Sequence, residues 1–406
     1  MIRLIAEDIA TYTYMTVAMC GEVEKRMLLD NGIKEVRYMR ESVKKCVDKK
    51  YIAERKTSHG KILRLTHKGY TALSNVPALK YHYEGLTDKH TFKNDPVVHA
   101  RRSAAACAIL AAMNAGLGVD NISLTYEGRR GRRENPKEAE GKIEFGKRQY
   151  AGIEHLYVFY ENEGDEEYKM EYTEFVKRIP ANHTNLFTGG RVKESRHLSE
   201  TEIKAIIRSR TKGHIFGGHT GYAVYAMPTS IMPTNETDEN AYGRYVSNVH
   251  RAACGRAPLP AGEFRAMNGN AIVICENESM VQEIIAQAGG RFTLHKSFAH
   301  TYVVPMRSPS LCLITKDGWR DSLIEGLYDE AELCHKNKEG FPSCCNAVVG
   351  GKPSLDMYAF DINKILKSFN VLKGAEGLHI ICSKWQVPMM KGIYEKYKDK
   401  VVIEAV

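Results

Sequence analysis

Apolar positions near the N-terminus follow the spacing of one helix face. Between residues 34 and 50 they recur in steps of three and four, which brings them to the same side of a helix. This apolar set is Val36, Met39, Val43 and Val47. Similar spacing over residues 17–29 predicts a preceding helix, and a first helix is expected over residues 4–12. The pattern therefore predicts three short helices in succession.

After residue 50 the pattern changes to short extended runs. Residues 51–56 and 61–65 are predicted strands, and the sequence Ser58-His59-Gly60 supplies the turn between them. The hydroxyl of Thr66 is well placed to cap the N-terminus of a following helix. Three helices, a two-stranded hairpin and a last helix match the order of a winged helix-turn-helix, whose core is the helix-turn-helix.

The segment LRLTHKGYTAL, residues 63–73, resembles the passage from the wing to the last helix in bacterial winged-helix regulators and plasmid proteins. The resemblance covers residues 1–80. It implies an N-terminal winged helix-turn-helix domain that binds double-stranded DNA. The alternative is a small helical domain whose hairpin contacts a protein.

Charge is concentrated in the same segment. The chain has a net charge of +9, and residues 34–68 hold twelve Lys/Arg against four Asp/Glu, so the rest is nearly balanced. A compact basic surplus is typical of surfaces that contact phosphates, although a solvated surface face has the same composition. The predicted DNA contacts are Lys34, Arg37, Arg40, Lys44, Lys45, Arg55, Lys56, His59, Lys61, Arg64 and Lys68.

Residues 81–210 are interpreted as a helical connector. An alanine-rich stretch at 97–116 predicts a helix, whose small side chains suggest close packing against another helix. Residues 128–148 hold eight Lys/Arg against four Glu, and residues 161–174 form an acidic turn. The basic loop is either solvated or a second DNA contact. That secondary contact would use Arg129, Arg130, Arg132 and Arg133.

Strands and helices alternate over residues 211–406. Apolar runs at 223–227, 271–275 and 378–383 predict buried strands with intervening helices, which indicates an α/β domain with some parallel pairing. The overall class is therefore α+β or α/β. This order after a winged helix resembles the replication-relaxation type proteins of Gram-positive plasmids and integrative elements. The resemblance implies a degenerate restriction-endonuclease-like fold and a role in plasmid replication, mobilisation or their control.

The chain lacks a clear catalytic pattern. A nuclease of that fold needs an Asp followed by an acid-x-Lys on a neighbouring strand, and no predicted strand offers it. Glu276 and Glu278 follow a strand, where helix N-terminal acids are the plainer explanation. A relaxase would need a nucleophilic tyrosine such as Tyr242 and a histidine pair, but His214 and His219 are not a tight pair. We therefore expect no catalytic residue.

Metal and nucleotide motifs are equally weak. Cys334, Cys344 and Cys345, even with His335, lack the paired spacing of zinc ligands, and no G-x4-GK[ST] loop occurs. We expect no metal and no cofactor. Scattered cysteines and the absence of a long apolar run indicate a cytoplasmic protein without membrane contact.

The sequence thus favours a non-enzymatic DNA-binding protein of a mobile genetic element, acting in replication, mobilisation or transcriptional control. Its α/β domain would hold a protein partner, a second DNA segment or a second subunit. Two alternatives stay open. One is a DNA nickase or relaxase-like nuclease with dispersed site residues. The other is a phage or plasmid counter-defence protein that binds a host protein.

Overall fold

A computed structural model describes the protein over a defined set of residues. These are residues 13–14, 16–17, 20, 22–32, 35–57, 60–73, 96–117, 149–152, 210–217, 220–237, 239–240, 269–307, 309–316, 319, 332–333, 342, 344–345, 347–349, 352–374 and 377–406. Within them the chain is a mixed α and β protein with three sheets. Among the described helices, none combines the length and the apolar character that a membrane crossing requires.

The described residues from Thr13 to Leu73 form what we call the N-terminal module. Its elements are β1 (Glu22–Glu24), α1 (Lys25–Asn31), α2 (Val36–Asp48), β2 (Ile52–Thr57), β3 (Gly60–Leu65) and α3 (His67–Leu73). The predicted helix after residue 34 and the predicted hairpin are confirmed. Gly60 has φ +120°, a value that favours glycine, at the predicted turn. Thr66 caps α3 as expected, because the Gly69 N–H donates to its Oγ1 at 3.0 Å.

The helix predicted over residues 17–29 is wrong in its middle. Glu22–Glu24 is a strand that pairs antiparallel with β3, so the hairpin is extended to a sheet of order β1-β3-β2. Val23 is buried in this strand, as it would have been on the predicted helix face. Apolar spacing therefore could not separate the two outcomes. Residues 22–24 form a strand because β3, which is distant in sequence, supplies backbone hydrogen bonds to them.

The remaining elements are one long helix, followed by the strands and helices that form what we call the two-sheet body. In chain order they are α4 (Pro96–Asn114), β4 (Gln149–Gly152), β5 (Gly213–Gly217), β6 (Thr220–Met227), β7 (Asn270–Cys275), α5 (Glu278–Ala286), β8 (His300–Pro305), α6 (Pro309–Ile314), β9 (Glu332–Leu333), β10 (Ala347–Val349), β11 (Lys352–Asp356), β12 (Phe360–Asp361), α7 (Ile362–Leu372), β13 (Leu378–Cys382), α8 (Val387–Ile393) and β14 (Val401–Ala405).

The two sheets of the body repeat one strand pattern. The first has the order β12-β8-β7-β6-β5-β4, and the second has the order β14-β13-β11-β10-β9. In each, an antiparallel three-stranded segment continues into two further strands that are parallel to its last strand, and the first sheet adds β12, antiparallel to β8. Helices α5 and α8, which occupy equivalent places before the last strand, contact each other. The expected parallel pairing is confirmed in both sheets.

Both faces of the first sheet are buried, which explains its continuous apolar strands. Val224 and Ile272 point into a core shared with α4 and with the N-terminal module. The alternate residues Tyr225 and Val273 point into a second core, which includes α5, α7 and the second sheet. The glycine-containing segment at 213–217 is strand β5 of this sheet.

Helix α4 confirms the helix expected at 97–116, and it packs against strands as well as against the expected second helix. It packs against β6 and β7 of the first sheet and against β1, as well as against α1. The small residues Ala104, Ala108 and Ala112 are fully buried there, so they allow close approach to strands more than to another helix. Ser103 Oγ donates to Glu24 at 2.8 Å, and this hydrogen bond ties α4 to the module.

Candidate nucleic-acid interface

Helix α2 separates its side chains into a buried face and a basic exposed face. The buried residues are Met39, Ser42, Val43 and Cys46, while Val36 and Val47 of the predicted apolar set are only half-buried. The predicted DNA contacts on this helix are all exposed, namely Arg37, Arg40, Lys44 and Lys45. Burial of one face fixes the helix against the rest of the module. The cations on the opposite face are therefore left in contact with solvent.

The ionic partner of Arg37 is weakly held. Its Nε lies 3.7 Å from Glu41 Oε1, and the two side chains are 85% and 60% exposed. Exposed ion pairs one helical turn apart contribute little to stability, because water solvates each charge when the pair is broken. A phosphate could therefore replace Glu41 at small cost.

Tyr38 is a candidate contact that charge patterns did not reveal. It lies on α2 with half of its side chain exposed, at 50%. Together with Val402 it is one of two large hydrophobic side chains exposed in the described part of the chain. An exposed tyrosine beside arginines offers a ring and a hydroxyl to a partner. A signal was present in the sequence, because Tyr38 falls outside the apolar spacing of its helix.

The hairpin places like charges opposite each other. Lys56 on β2 pairs directly with Lys61 on β3, and Arg55 precedes Lys56 on the same strand. All three side chains are exposed. Like charges at directly opposite positions of an antiparallel pair destabilise the pair. The local sequence thus works against hairpin stability, and a polyanion bound at this site would relieve the repulsion.

Glu54 partly compensates for this repulsion. Its carboxylate accepts hydrogen bonds from Lys25 of α1 and from Lys61, the second at 2.6 Å. The bonds from these two lysines lower the pKa of Glu54 below its usual value. Lys61 is therefore shared between Glu54 and the solvent, whereas no described acidic side chain forms an ion pair with Arg55 or Lys56.

The other predicted contacts differ in accessibility. Arg64 is half-buried and pairs in register with the buried Glu22, so it is less available than the exposed residues. Lys68 is exposed, with its Nζ 5.4 Å from the ring centroid of Tyr51. The remaining predictions lie outside the described residues. They are Lys34, His59, Arg129, Arg130, Arg132 and Arg133.

Two acids of the first sheet's surroundings, Glu276 and Glu239, have structural partners. Glu276, at the end of β7, lies 3.9 Å from Arg26 of α1, and burial raises the pKa of its carboxyl. Glu239 is buried and accepts from the Tyr225 hydroxyl at 2.6 Å. Within the described ranges, no group of three or more His, Cys, Asp or Glu side chains could hold a metal ion. Tyr242 lies outside those ranges.

Two histidines of the body, His214 and His379, are also enclosed. Burial lowers the pKa of His214 to about 3, so this ring is neutral at physiological pH. His379 bonds Ser354 Oγ at 2.7 Å and Glu404 at 2.9 Å, a set of side chains that resembles a nucleophilic triad. However, Ser354 is fully buried, and its hydroxyl also donates to the carbonyl of Lys352. A substrate could not reach it, so the set serves to link three strands.

The exposed cations of α2 and the hairpin are thus the strongest candidate interface in the described part of the chain. Comparisons with protein-family models, with curated proteins and with solved structures found no match.

Proposed function

We propose that the N-terminal module is a winged helix-turn-helix that binds double-stranded DNA. The observation that carries the proposal is the set of exposed cations on two adjacent elements. On α2 these include Arg37, Arg40 and Lys44, and on the hairpin they include the directly opposed Lys56 and Lys61. The element order, with a strand and a helix pair before a hairpin and a closing helix, supports the same proposal.

In this proposal α2 enters the major groove and the hairpin lies along the phosphate backbone. An α-helix fits the width of the major groove, and arginine side chains there bond base edges or phosphates. Arg55 and Lys56 contact phosphates, which fixes orientation and supplies most of the affinity without reading sequence. Tyr38 adds a neutral contact beside the arginines.

The two-sheet body is proposed to hold a partner: a second subunit, another protein or a second DNA segment. On the resemblance of its sequence to replication-relaxation type proteins, we propose that this activity serves the replication, mobilisation or transcriptional control of a mobile element. A degenerate restriction-endonuclease-like fold is proposed for the body on the same grounds. Its antiparallel segment followed by parallel strands supports that proposal, and the structural partners of Glu239 and Glu276 favour binding over cleavage.

Charge reversal with a matched control tests the proposal. The variant combines Arg37→Glu, Arg40→Glu and Lys44→Glu. The control combines Lys391→Glu, Lys396→Glu and Lys398→Glu, three exposed residues of the body. Both proteins lose the same net charge. Fluorescence anisotropy with a labelled duplex should show affinity loss on the order of a hundredfold for the α2 variant and far less for the control, because lost phosphate contacts dominate affinity. Equal losses would contradict a DNA surface on α2.

A further inference from the structure

Strand β14 is an edge strand whose composition favours association with another chain. It lies at the end of the second sheet, and in the described part of the chain it pairs only with β13. An edge strand offers unpaired backbone N–H and C=O groups, so natural sheets protect it with charges, with proline or by making it short. β14 has the sequence Val-Val-Ile-Glu-Ala, with one charged residue and no proline. Its Val402 is 65% exposed.

The other edge strands of the described sheets are protected in these ways. β9 and β12 have two residues each, and β1 has three. β4 has four residues, and β2 carries Glu54, Arg55 and Lys56. Among the described edges, β14 therefore combines length with apolar character.

The backbone of β14 alternates between β13 and the open edge. The Leu378 N–H donates to the carbonyl of Lys400 at 2.8 Å, and six residues later the Val406 N–H donates to β13 at 3.0 Å. In a parallel ladder every second residue bonds the neighbouring strand, so the even-numbered residues of this segment face β13. The N–H and C=O groups of Val401 and Ile403 therefore point to the open edge.

A second copy of the chain fits this edge when a two-fold axis passes through residue 402. Such an axis, perpendicular to the sheet, makes the two β14 strands antiparallel. Val401 of one copy then lies opposite Ile403 of the other, and both direct their backbone groups to the edge, as a hydrogen-bonded pair requires. Lys400 lies opposite Glu404, so opposite charges face each other twice. Val402 faces its own copy, which covers the exposed side chain.

Charge complementarity selects this axis over its neighbour. An axis through residue 403 also satisfies the backbone groups, but it places Glu404 opposite Val402 and Lys400 opposite Val406. Opposite charges at directly opposed positions stabilise an antiparallel pair, and the side chains of non-hydrogen-bonded pairs are the closer ones. The axis through residue 402 provides two such charge pairs, and the other axis provides none.

Both charged side chains can bond the second copy and keep their contacts within the chain. Glu404 is 44% exposed and accepts from His379 Nε2 at 2.9 Å, which leaves acceptor capacity on its carboxylate. Lys400 Nζ donates to the carbonyls of Leu372, at 3.1 Å, and Gly374. An ammonium group has three hydrogens, so one is left for a partner.

We propose that the protein forms a two-fold symmetric dimer in which β14 pairs with β14 of a second copy, centred on Val402. The inference rests on the proposal that the body holds a partner, and it selects a second subunit. The second sheets of the two copies join into one continuous sheet. Val401 and Ile403, which pack against the second core, meet across the axis and extend that core. The dimer carries two N-terminal modules and thus two proposed DNA surfaces.

Sedimentation velocity of the full chain over a concentration series tests the dimer. We expect a monomer–dimer equilibrium in the wild type. Val402→Lys should raise the dimer dissociation constant about tenfold or more, because like charges then meet on the axis. The control is Gln282→Lys, which adds the same charge at an exposed position of α5 and should keep the wild-type constant within a factor of about two. Val402 is exposed, so the melting temperature of its variant should stay near that of the wild type.

A charge exchange tests the register. Lys400→Glu alone and Glu404→Lys alone each place like charges opposite each other in both pairs, so each variant should dimerise about tenfold more weakly or worse. An equimolar mixture of the two variants should restore dimers, because each pair then combines a carboxylate with an ammonium group.

Disulfide cross-linking locates the axis without changing these charge pairs. Val402→Cys should give a covalent dimer under mild oxidation, because residues directly opposite in a non-hydrogen-bonded pair have Cα atoms about 4.5 Å apart, within disulfide range. Glu404→Cys, on the same face but opposite Lys400, is the control and should cross-link no more than the wild type.

Three results would overturn the inference: a wild type that is monomeric at all concentrations, equal dimerisation in Val402→Lys and Gln282→Lys, or equal cross-linking of the two cysteine variants. Fluorescence anisotropy with a short duplex, at protein concentrations below the dimer dissociation constant, should give the same affinity for wild type and Val402→Lys. The dimer can therefore fail while the DNA proposal holds, and the reverse is also true.

Discussion

Charged side chains in the N-terminal module and in the two-sheet body differ in burial and in pairing. In the module Arg37 is 85% exposed, and Lys56 faces the like charge of Lys61. In the body Asp361 is 1% exposed and bonds both His300 and the first turn of α7. A buried charge must be paired because removal from water is costly, whereas an exposed charge needs no partner inside the protein. The comparison separates charges that hold the fold from charges that are available to a partner.

The largest expected contrast concerns stability. Asp361→Ala leaves the Nδ1 of His300 and the capped N–H of Asn363 without their acceptor, and loss of these two hydrogen bonds costs about 1–3 kcal/mol. Glu41→Ala in the module removes an exposed partner of Arg37 and should change the free energy of unfolding by less than about 0.5 kcal/mol. Urea denaturation of the two variants measures both values. Similar costs would remove the distinction between the two regions.

A second contrast concerns the two exposed hydrophobic side chains, one in each region. Tyr38→Ala should weaken duplex binding by about 1 kcal/mol, the worth of one lost neutral contact. Its melting temperature should stay near that of the wild type because the ring is half-exposed. Val402→Ala in the body is the matched control and should leave DNA affinity unchanged. Unchanged affinity in both variants would remove Tyr38 from the interface.

The opposed lysines predict a trade between stability and binding. Lys56→Thr removes the repulsion across from Lys61 and should stabilise the protein by about 0.2–1 kcal/mol. The same variant should bind the duplex more weakly, because a phosphate contact is lost. Lys352→Thr, an exposed lysine on β11, is the control for a simple loss of charge. A variant that loses both stability and affinity would show that Lys56 has a structural role.

The smallest expected effect is a dependence on acid pH. The pKa of Glu54 is lowered by its bonds from Lys25 and Lys61. Since the pKa is lower in the folded state than in the unfolded state, the stabilisation is present at neutral pH and is lost as pH falls through the folded value. Glu54→Gln should therefore show a smaller loss of stability between neutral and acid pH than the wild type. Thermal unfolding across that range measures the difference, and identical pH profiles would argue against this ion cluster.

Sequence patterns predicted local elements better than long-range pairing, for a physical reason. Helix α2 and the hairpin are local structures, so the spacing of Met39 and Val43 and the turn at Gly60 suffice to define them. Strand β1 depends on hydrogen bonds to the distant β3, and short apolar spacing does not encode that pairing. Helix α7 was not anticipated, although Ile362, Ile365 and Leu372 have helical spacing.

The candidate site shows the same division. Exposed cations of α2 and the hairpin could be predicted because charge is read directly from the sequence. The cluster of His300, Asp361 and Asn363 in the body could not be predicted, because these residues come together only when β8, β12 and α7 pack. The repeated strand pattern of the two sheets likewise could not be predicted from the sequence, since it depends on the order in which strands pair and not on residue identity.

The salt dependence of duplex affinity tests the central claim most directly. Each lost phosphate contact lowers the slope of log affinity against log salt by about 0.9, so Arg37→Ala with Arg40→Ala and Lys44→Ala should lower it by about 2.7 if all three contact phosphates. The control with Lys391→Ala, Lys396→Ala and Lys398→Ala should keep the wild-type slope. A wild-type slope in the α2 variant, or equal changes in both proteins, would contradict DNA binding by this surface.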